Sequence, residues 1–260
     1  YEDFSDFGST TKPGVQVAIR PGGGFLLRAS YTEGFRAPSL QDLYQSAAES
    51  FEFISNPFNQ NQQQARTIFT GNPNLDPEES ESYSFGVVYS PEYIEGFSAS
   101  LDFWNIKVEN TVSSVDVQFL IDQFYDDPAN PQFIANPADI PEGASVEWTE
   151  PDAAGVRSIA QITVPTANLG YIEVQGFDYS IQYSMDFMDG TLDLAIDGTY
   201  FKKYEEQLVP GGPVYKSAGD YNEILGQSIT RNKIAFVGTY WWDVFDFSVN
   251  INYLDEVRET

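Results

Sequence analysis

Along most of the chain, apolar and polar residues alternate with a period of two. Phe25, Leu27, Ala29 and Tyr31 oppose Arg28, Ser30 and Thr32; Tyr83, Phe85, Val87 and Tyr89 oppose Ser82, Ser84 and Gly86. Phe97, Ala99, Leu101 and Phe103 oppose Ser98, Ser100 and Asp102. The same alternation runs through residues 177–185, 192–200, 234–242 and 245–253, and a shorter run (Val15, Val17, Ile19) precedes the first. Period two sends successive side chains to opposite faces, so these segments predict β-strands with one apolar and one polar face.

A soluble sandwich would also alternate, with its apolar face turned inward. Two features point elsewhere. The segments are about ten residues or more, longer than the ~5–6 of ordinary strands and matching the ~9–11 tilted residues that cross a bilayer. The connections also alternate in length. Residues 21–24, 91–96, 186–190 and 243–244 are short, whereas 34–80, 110–168 and 205–227 are long. Short turns on one side and long loops on the other are the pattern of an outer-membrane barrel. The apolar parities carry no Asp, Glu, Lys or Arg along these runs, and Tyr31, Tyr89, Tyr183, Tyr200, Trp242 and Tyr253 stand near their ends. Amphipathic rings at strand ends suit the headgroup level of a membrane. The opposite parities hold Asp, Ser, Thr, Gln and Asn, suited to a wet lumen.

The first long loop shows no strand period, and its Asn59-Gln60-Asn61-Gln62-Gln63-Gln64 stretch reads as a mobile polar tip. In the second, Val117, Leu120, Ile121 and Phe124 recur at helical spacing, which predicts a short amphipathic helix packed within the loop. Residues 156–164 read as a loop strand or hairpin arm. The third loop holds the rigid turn Pro210-Gly211-Gly212-Pro213.

Composition narrows the chemistry. The chain has no Cys and no His, which removes disulfides, thiolate and imidazole metal sites, and His-dependent nucleophilic catalysis. Its 39 Asp plus Glu against 13 Lys plus Arg give a net charge of −26, unsuited to a nucleic-acid partner. An acidic excess can accompany disorder, but 15% aromatic content favours packed strands instead. No run approaches the ~18 apolar residues of a membrane helix, which leaves strands as the only way across. Asp126 with Asp127, and Asp76 with Glu78 and Glu79, are carboxylate clusters without the ligand spacing of a calcium loop, so no metal or cofactor is expected. No nucleophile elbow, P-loop or dinucleotide fingerprint is present, so no enzymatic activity is expected.

Two segments carry a family resemblance. Residues 27–39, ending Gly34-Phe35-Arg36-Ala37-Pro38-Ser39, resemble the strand-end R-x-S-x-x-x-G-F-R-A-P-S signature of TonB-dependent outer-membrane receptors. Gly71-Asn72-Pro73-Asn74-Leu75-Asp76-Pro77-Glu78-Glu79-Ser80 is similar to that family's G-N-P-x-L-x-P-E-x-S. The strand at 82–89 follows as it does there, and residues 98–108 resemble the next strand of the family. The resemblance covers the chain to about residue 110 and is looser beyond it.

The resemblance implies a mainly β fold: an antiparallel up-and-down transmembrane β-barrel of roughly 22 strands closed by a plug. On that basis, residues 1–260 hold about eight or nine strands and no plug domain. The implied function is TonB-dependent uptake of a scarce nutrient (a ferric siderophore, cobalamin or an oligosaccharide) across the outer membrane of a Gram-negative bacterium. The long extracellular loops would capture the ligand, with Arg36, Tyr44, Phe51, Phe53 and Phe58 as contact candidates, and the short turns would be periplasmic. The implied partners are outer-membrane lipid, the ligand, and TonB only through the plug region. Gly34 to Pro38 would shape the exit from strand to loop. Two alternatives stand beside this: a complete eight-stranded barrel with an adhesive or structural role, and a soluble acidic β protein binding carbohydrate or calcium.

Overall fold

The structure, a computed structural model, describes residues 2–4, 8–124, 140–208, 210 and 212–259. A small hairpin comes first, of β1 (Glu2–Phe4) and β2 (Gly8–Thr10). The wall begins with β3 (Gly14–Gly22) and β4 (Phe25–Arg36). The first long connection holds α1 (Leu40–Tyr44), β5 (Ala48–Ser55) and β6 (Gln62–Thr70). Next come β7 (Glu78–Tyr89) and β8 (Phe97–Glu109). The second long connection holds β9 (Val112–Ser114), α2 (Val117–Phe124), β10 (Ser145–Trp148) and β11 (Ile159–Asn168). It is followed by β12 (Tyr171–Phe187) and β13 (Gly190–Gln207). The third holds β14 (Val214–Lys216), β15 (Asp220–Asn222) and β16 (Gln227–Ser228), before β17 (Asn232–Trp242), β18 (Phe245–Leu254) and β19 (Arg258–Glu259).

The wall is an antiparallel meander in the order β3-β4-β7-β8-β12-β13-β17-β18, with β14 added beside β13. Every alternating segment read from the sequence is one of these strands, and each strand pairs with its neighbours along the chain. Up-and-down order follows because the turns at one end are too short to allow anything else. At 243–244 and at 188–189 two residues close the hairpin, with Asp243 at φ 52° and Met188 at φ 54°. Such positive-φ turns match the twist of paired strands. Among the described residues β3 and β18 are not paired to one another, so the eight strands form an open curved sheet and not a closed eight-stranded barrel.

The outward parity is apolar through the middle of the wall. Phe85 is 57% exposed, and Leu101, Ile181, Phe247, Val249 and Ile251 are also exposed. Rings mark both limits of this band. Toward the short turns, Phe25 packs on Tyr89 (ring centroids 4.5 Å), Phe187 on Tyr240 (6.1 Å) and Trp242 on Phe245 (6.2 Å). Toward the long loops, Tyr31 pairs with Tyr83, and Phe103 packs on Phe177 (5.2 Å). Phe25 and Tyr31 are six residues apart, about 20 Å along a strand. Beyond the upper rings the outward parity becomes charged. Glu33, Glu81, Lys107, Glu173 and Glu205 stand in register, and Lys203 bridges Glu173 and Glu205, each at 2.8 Å.

The hydrophobic core lies in the loops. Among the described residues, no buried apolar side chain belongs to the eight wall strands; Ile54, Leu120, Ile121, Ile162 and Val164 all come from the long connections. The sequence left the first loop without strands, whereas the structure forms the β5–β6 hairpin there. Its turn spans residues 56–61, and Gln62, Gln63 and Gln64 lie in β6 and not in a polar tip. Gln63 donates to the Ile159 carbonyl, and β6 pairs in parallel with β11, Arg66 opposite Gln161. That pairing joins residues far apart in sequence, so no local period announces it. The predicted helix is α2, with Phe119, Leu120, Ile121 and Phe124 buried against the β5-β6-β11-β10 sheet. The proposed arm at 156–164 is β11, which continues to Asn168. Asp126 and Asp127 lie outside the described residues.

Candidate functional site

The two sequence motifs meet at the loop end of the wall. Arg36 is the last residue of β4 and Glu78 the first of β7, and they are partners in register. The Arg36 guanidinium donates through Nε and Nη2 to Glu78 Oε2 (2.6 Å) and Oε1 (2.5 Å). The same Oε1 accepts the Val112 N–H at 2.7 Å, which fastens the start of the second loop to the first. These residues lie beyond the upper aromatic level. Burial alone would push the Glu78 carboxyl up. The Arg36 fork and the Val112 N–H outweigh it and hold the group below the ordinary carboxylate range.

The flanking motif residues are architectural. Gly34 has no positive φ; a Cβ there would meet the Ser80 hydroxyl across the strand pair, so a larger residue would need that hydroxyl to rotate away. Gly34 thus shapes the strand exit by the room it leaves opposite Ser80 and not by an unusual backbone conformation. Pro38 is buried, and a helix follows it at once: Ser39 caps α1 in a reciprocal box with Asp42. Pro38 thus stands just ahead of the cap, where the chain leaves the strand and enters the helix. Asn72 donates its N–H to the Asp42 carbonyl, and its side chain accepts the Asn74 N–H, forming the turn at Pro73 and Asn74. Leu75 then inserts its side chain, 4% exposed. Asn168, at the far end of the second loop, accepts the Asp76 N–H and donates to the Asp76 and Asn110 carbonyls. The motifs therefore hold both ends of two loops together.

Behind this clamp, on the lumen-facing parity, opens a cavity of about 570 Å³. Its apolar wall is Val108, Val112, Leu169, Ile172, Leu208, Ile224 and Leu225; its polar groups are Glu78, Asp116, Glu206 and the hydroxyl residues Thr111, Ser113 and Ser114. Among the described residues no Lys or Arg lines it. Asp116 caps α2 by accepting the Phe119 N–H at 2.8 Å. Glu206 accepts from Gln227 at 3.1 Å and, among the described residues, has no ion-pair partner. Burial pushes its carboxyl up, against the opposing pull of the Gln227 hydrogen bond. Further down the lumen, Arg28 reaches across Gly86 to grip Asp102 through two hydrogen bonds (2.7 and 2.6 Å), and Thr199 donates to Asp178. A Cβ on Gly86 would strike Asp102.

The five contact candidates are not gathered at one point. Tyr44, Phe51 and Phe53 are exposed, the last at 76%. Phe51 and Phe53 share the solvent face of β5, opposite the buried Ile54. Phe58 turns edge-on to Trp148 at 5.3 Å, and Arg36 is held by Glu78. Of the Asp76-Glu78-Glu79 cluster, Glu78 pairs with Arg36 and Glu79 with Lys12 at 2.8 Å, on opposite faces of β7. Sequence reasoning missed Asp116, Glu206, Ile224 and Leu225; they come from three separate segments, and the only signal was the helical spacing after Asp116.

Comparison with known proteins agrees with this architecture. The family described as TonB dependent receptor-like, beta-barrel matches residues 1–259, and the chain belongs to that family of transport receptors. No curated protein matches the sequence. Among solved structures, the siderophore receptor PirA from Acinetobacter baumannii superposes with a TM-score of 0.56 at 15% identity, over 95% of this chain and 29% of that one. A mutant of the ferric enterobactin receptor PfeA from Pseudomonas aeruginosa, in complex with enterobactin, gives 0.59 at 14%, over 96% and 28%. At such identities the likeness concerns the fold. The chain spans less than a third of the length of these two structures.

Proposed function

We propose that the protein acts in an outer-membrane receptor that takes up a scarce nutrient by the TonB-dependent route in a Gram-negative bacterium. The observation that carries this is the division of the wall: an apolar outward band between two aromatic levels, a polar lumen face, and motif-clamped loops crowning one end. The exposed wall side chains argue against the soluble alternative, because a soluble sheet would cover Phe247, Val249 and Ile251. On this reading residues 1–260 are part of one barrel domain, with a plug supplied by sequence outside them, and TonB is reached only through that plug.

The mechanism is binding and passage, without covalent chemistry. The loops capture the ligand above the membrane. Arg36, Tyr44, Phe51, Phe53 and Phe58 are proposed contacts; of these, Phe51 and Phe53 offer apolar faces to the exterior. The cavity behind the Arg36–Glu78 clamp offers a partly enclosed space beside the loops. Siderophore is the foremost ligand class, since the similar folds include receptors for it; cobalamin and oligosaccharide are the others.

Uptake tests this. Cells carrying the full-length receptor should accumulate labelled ferric siderophore, cobalamin or oligosaccharide, and deletion of either the receptor or TonB should abolish that accumulation. Accumulation of none of the three, or accumulation that persists without TonB, overturns the reading.

A further inference from the structure

The cavity at the lumen mouth has a definite charge character. It is bounded by seven apolar side chains, and among the described residues its ionisable lining consists of carboxylates alone. Glu78 is neutralised by Arg36 and Asp116 caps the N-terminus of α2, which leaves Glu206 as the lining carboxylate with neither a cation nor a helix terminus beside it among the described residues. Glu206 is seated on the wall between Ile172 and the third loop, with only the Gln227 amide to stabilise it. A half-buried carboxylate with one neutral donor gains most from a ligand cation that donates charge-assisted hydrogen bonds. The volume of about 570 Å³ lies within the range of small-molecule sites.

The geometry points to a ligand that carries a protonated amine on an apolar or weakly polar body, with the amine seated against Glu206 and the body against Val108, Ile172, Leu208 and Leu225. This rests on the receptor reading above and sharpens it: among iron chelates, the class selected is a chelate ending in a primary ammonium, and polyanionic chelates are disfavoured at this point of the mouth. Burial of Glu206 supports the assignment, because an arriving ammonium would return the carboxyl to its charged form. Thr111, Ser113 and Ser114 supply hydroxyls to accept the remaining N–H groups.

The test uses the full-length receptor in detergent micelles and three probes: a linear ferric trihydroxamate ending in a free amine, the same chelate N-acetylated, and a ferric tris-catecholate. Tryptophan fluorescence reports binding at low and at physiological salt. The amine chelate should bind about tenfold more tightly than the acetylated one, the factor expected of one charge-assisted contact. Glu206→Gln should bring the two within about threefold, chiefly by weakening the amine chelate. Equal binding of the two hydroxamates by the native receptor, tightest binding of the tris-catecholate, binding of none of the three, or an amine preference that survives Glu206→Gln overturns the inference. Circular dichroism and heat-modifiable migration of the variant exclude misfolding as the cause of a loss. TonB-dependent uptake without the amine preference sinks this inference alone; absence of TonB-dependent uptake sinks the receptor reading.

Discussion

At the residue scale, the motif residues hold the loops and do not present themselves to solvent. Arg36 and Glu78 are conspicuous in the sequence as members of separate signatures, yet the structure makes them one fork that also holds Val112. Replacing Glu78 by Ala should weaken loop docking by about 1 kcal/mol, the scale of a partly exposed ion pair, with more lost if the Val112 N–H finds no water. Faster proteolysis within the second loop, with the wall strands still resistant, would show this. The pH dependence follows from the lowered pKa of Glu78. Its contribution is present above the unfolded carboxylate pKa and disappears as pH falls through the lower folded value. Loop protection should therefore stay level from neutral pH into the ordinary carboxylate range and drop only below it, and Glu78→Gln should remove that acid step. Glu206 works in the opposite sense. Its folded pKa is raised, so the stabilising form is the protonated one, and its contribution is lost as pH rises through the folded value.

At the scale of elements, helix and strands in the loops behave differently from strands in the wall. The helix was legible from Val117, Leu120, Ile121 and Phe124 because its period is local. The β5–β6 hairpin was not, although Phe51 and Phe53 alternate with Glu52 and Ile54. Its apolar pair faces solvent and its buried face is built by β11 and α2, which arrive from another loop. Leu120 is 1% exposed within this cluster. Leu120→Ala should cost about 2–5 kcal/mol of local stability. Hydrogen exchange should accelerate in β5, β6 and β11 while the middle of β7, β8 and β12 keeps its protection; equal acceleration in both regions would mean that loop bundle and wall unfold as one unit.

At the scale of the molecule, the wall has no core of its own. Its outward apolar side chains lie on one side of a single sheet, and on the proposed receptor reading the burial that stabilises it comes from lipid. A charge placed there is correspondingly costly. Phe85→Arg, at mid-band between Tyr83 and the rings near the short turns, should reduce insertion into vesicles by about 2–4 kcal/mol. Ser84→Arg, one residue away but facing the lumen, should cost far less. Denaturant titration of folding into lipid vesicles compares the two, and equal penalties would contradict the assignment of faces. The net charge of −26 fits this division: acids occupy the loops, the lumen parity and the charged row beyond the upper rings, and the band between the rings is neutral on its outward side.

The sequence by itself determined the strands of the wall, their order and the apolar side that each turns outward. Period two, turn length and aromatic placement are all local properties, and an up-and-down sheet needs only neighbours in the chain. It also marked the residues of the two motifs and the loop helix. Tertiary structure decided that the motifs grip each other, that the first loop contains strands, and that Glu206 stands uncompensated in an apolar cavity. Each of these depends on groups 40 or more residues apart being brought together, Arg36 with Glu78 and Gln63 with Ile159 among them. Such contacts are made by packing between loops, and the pattern of any one segment carries no record of them.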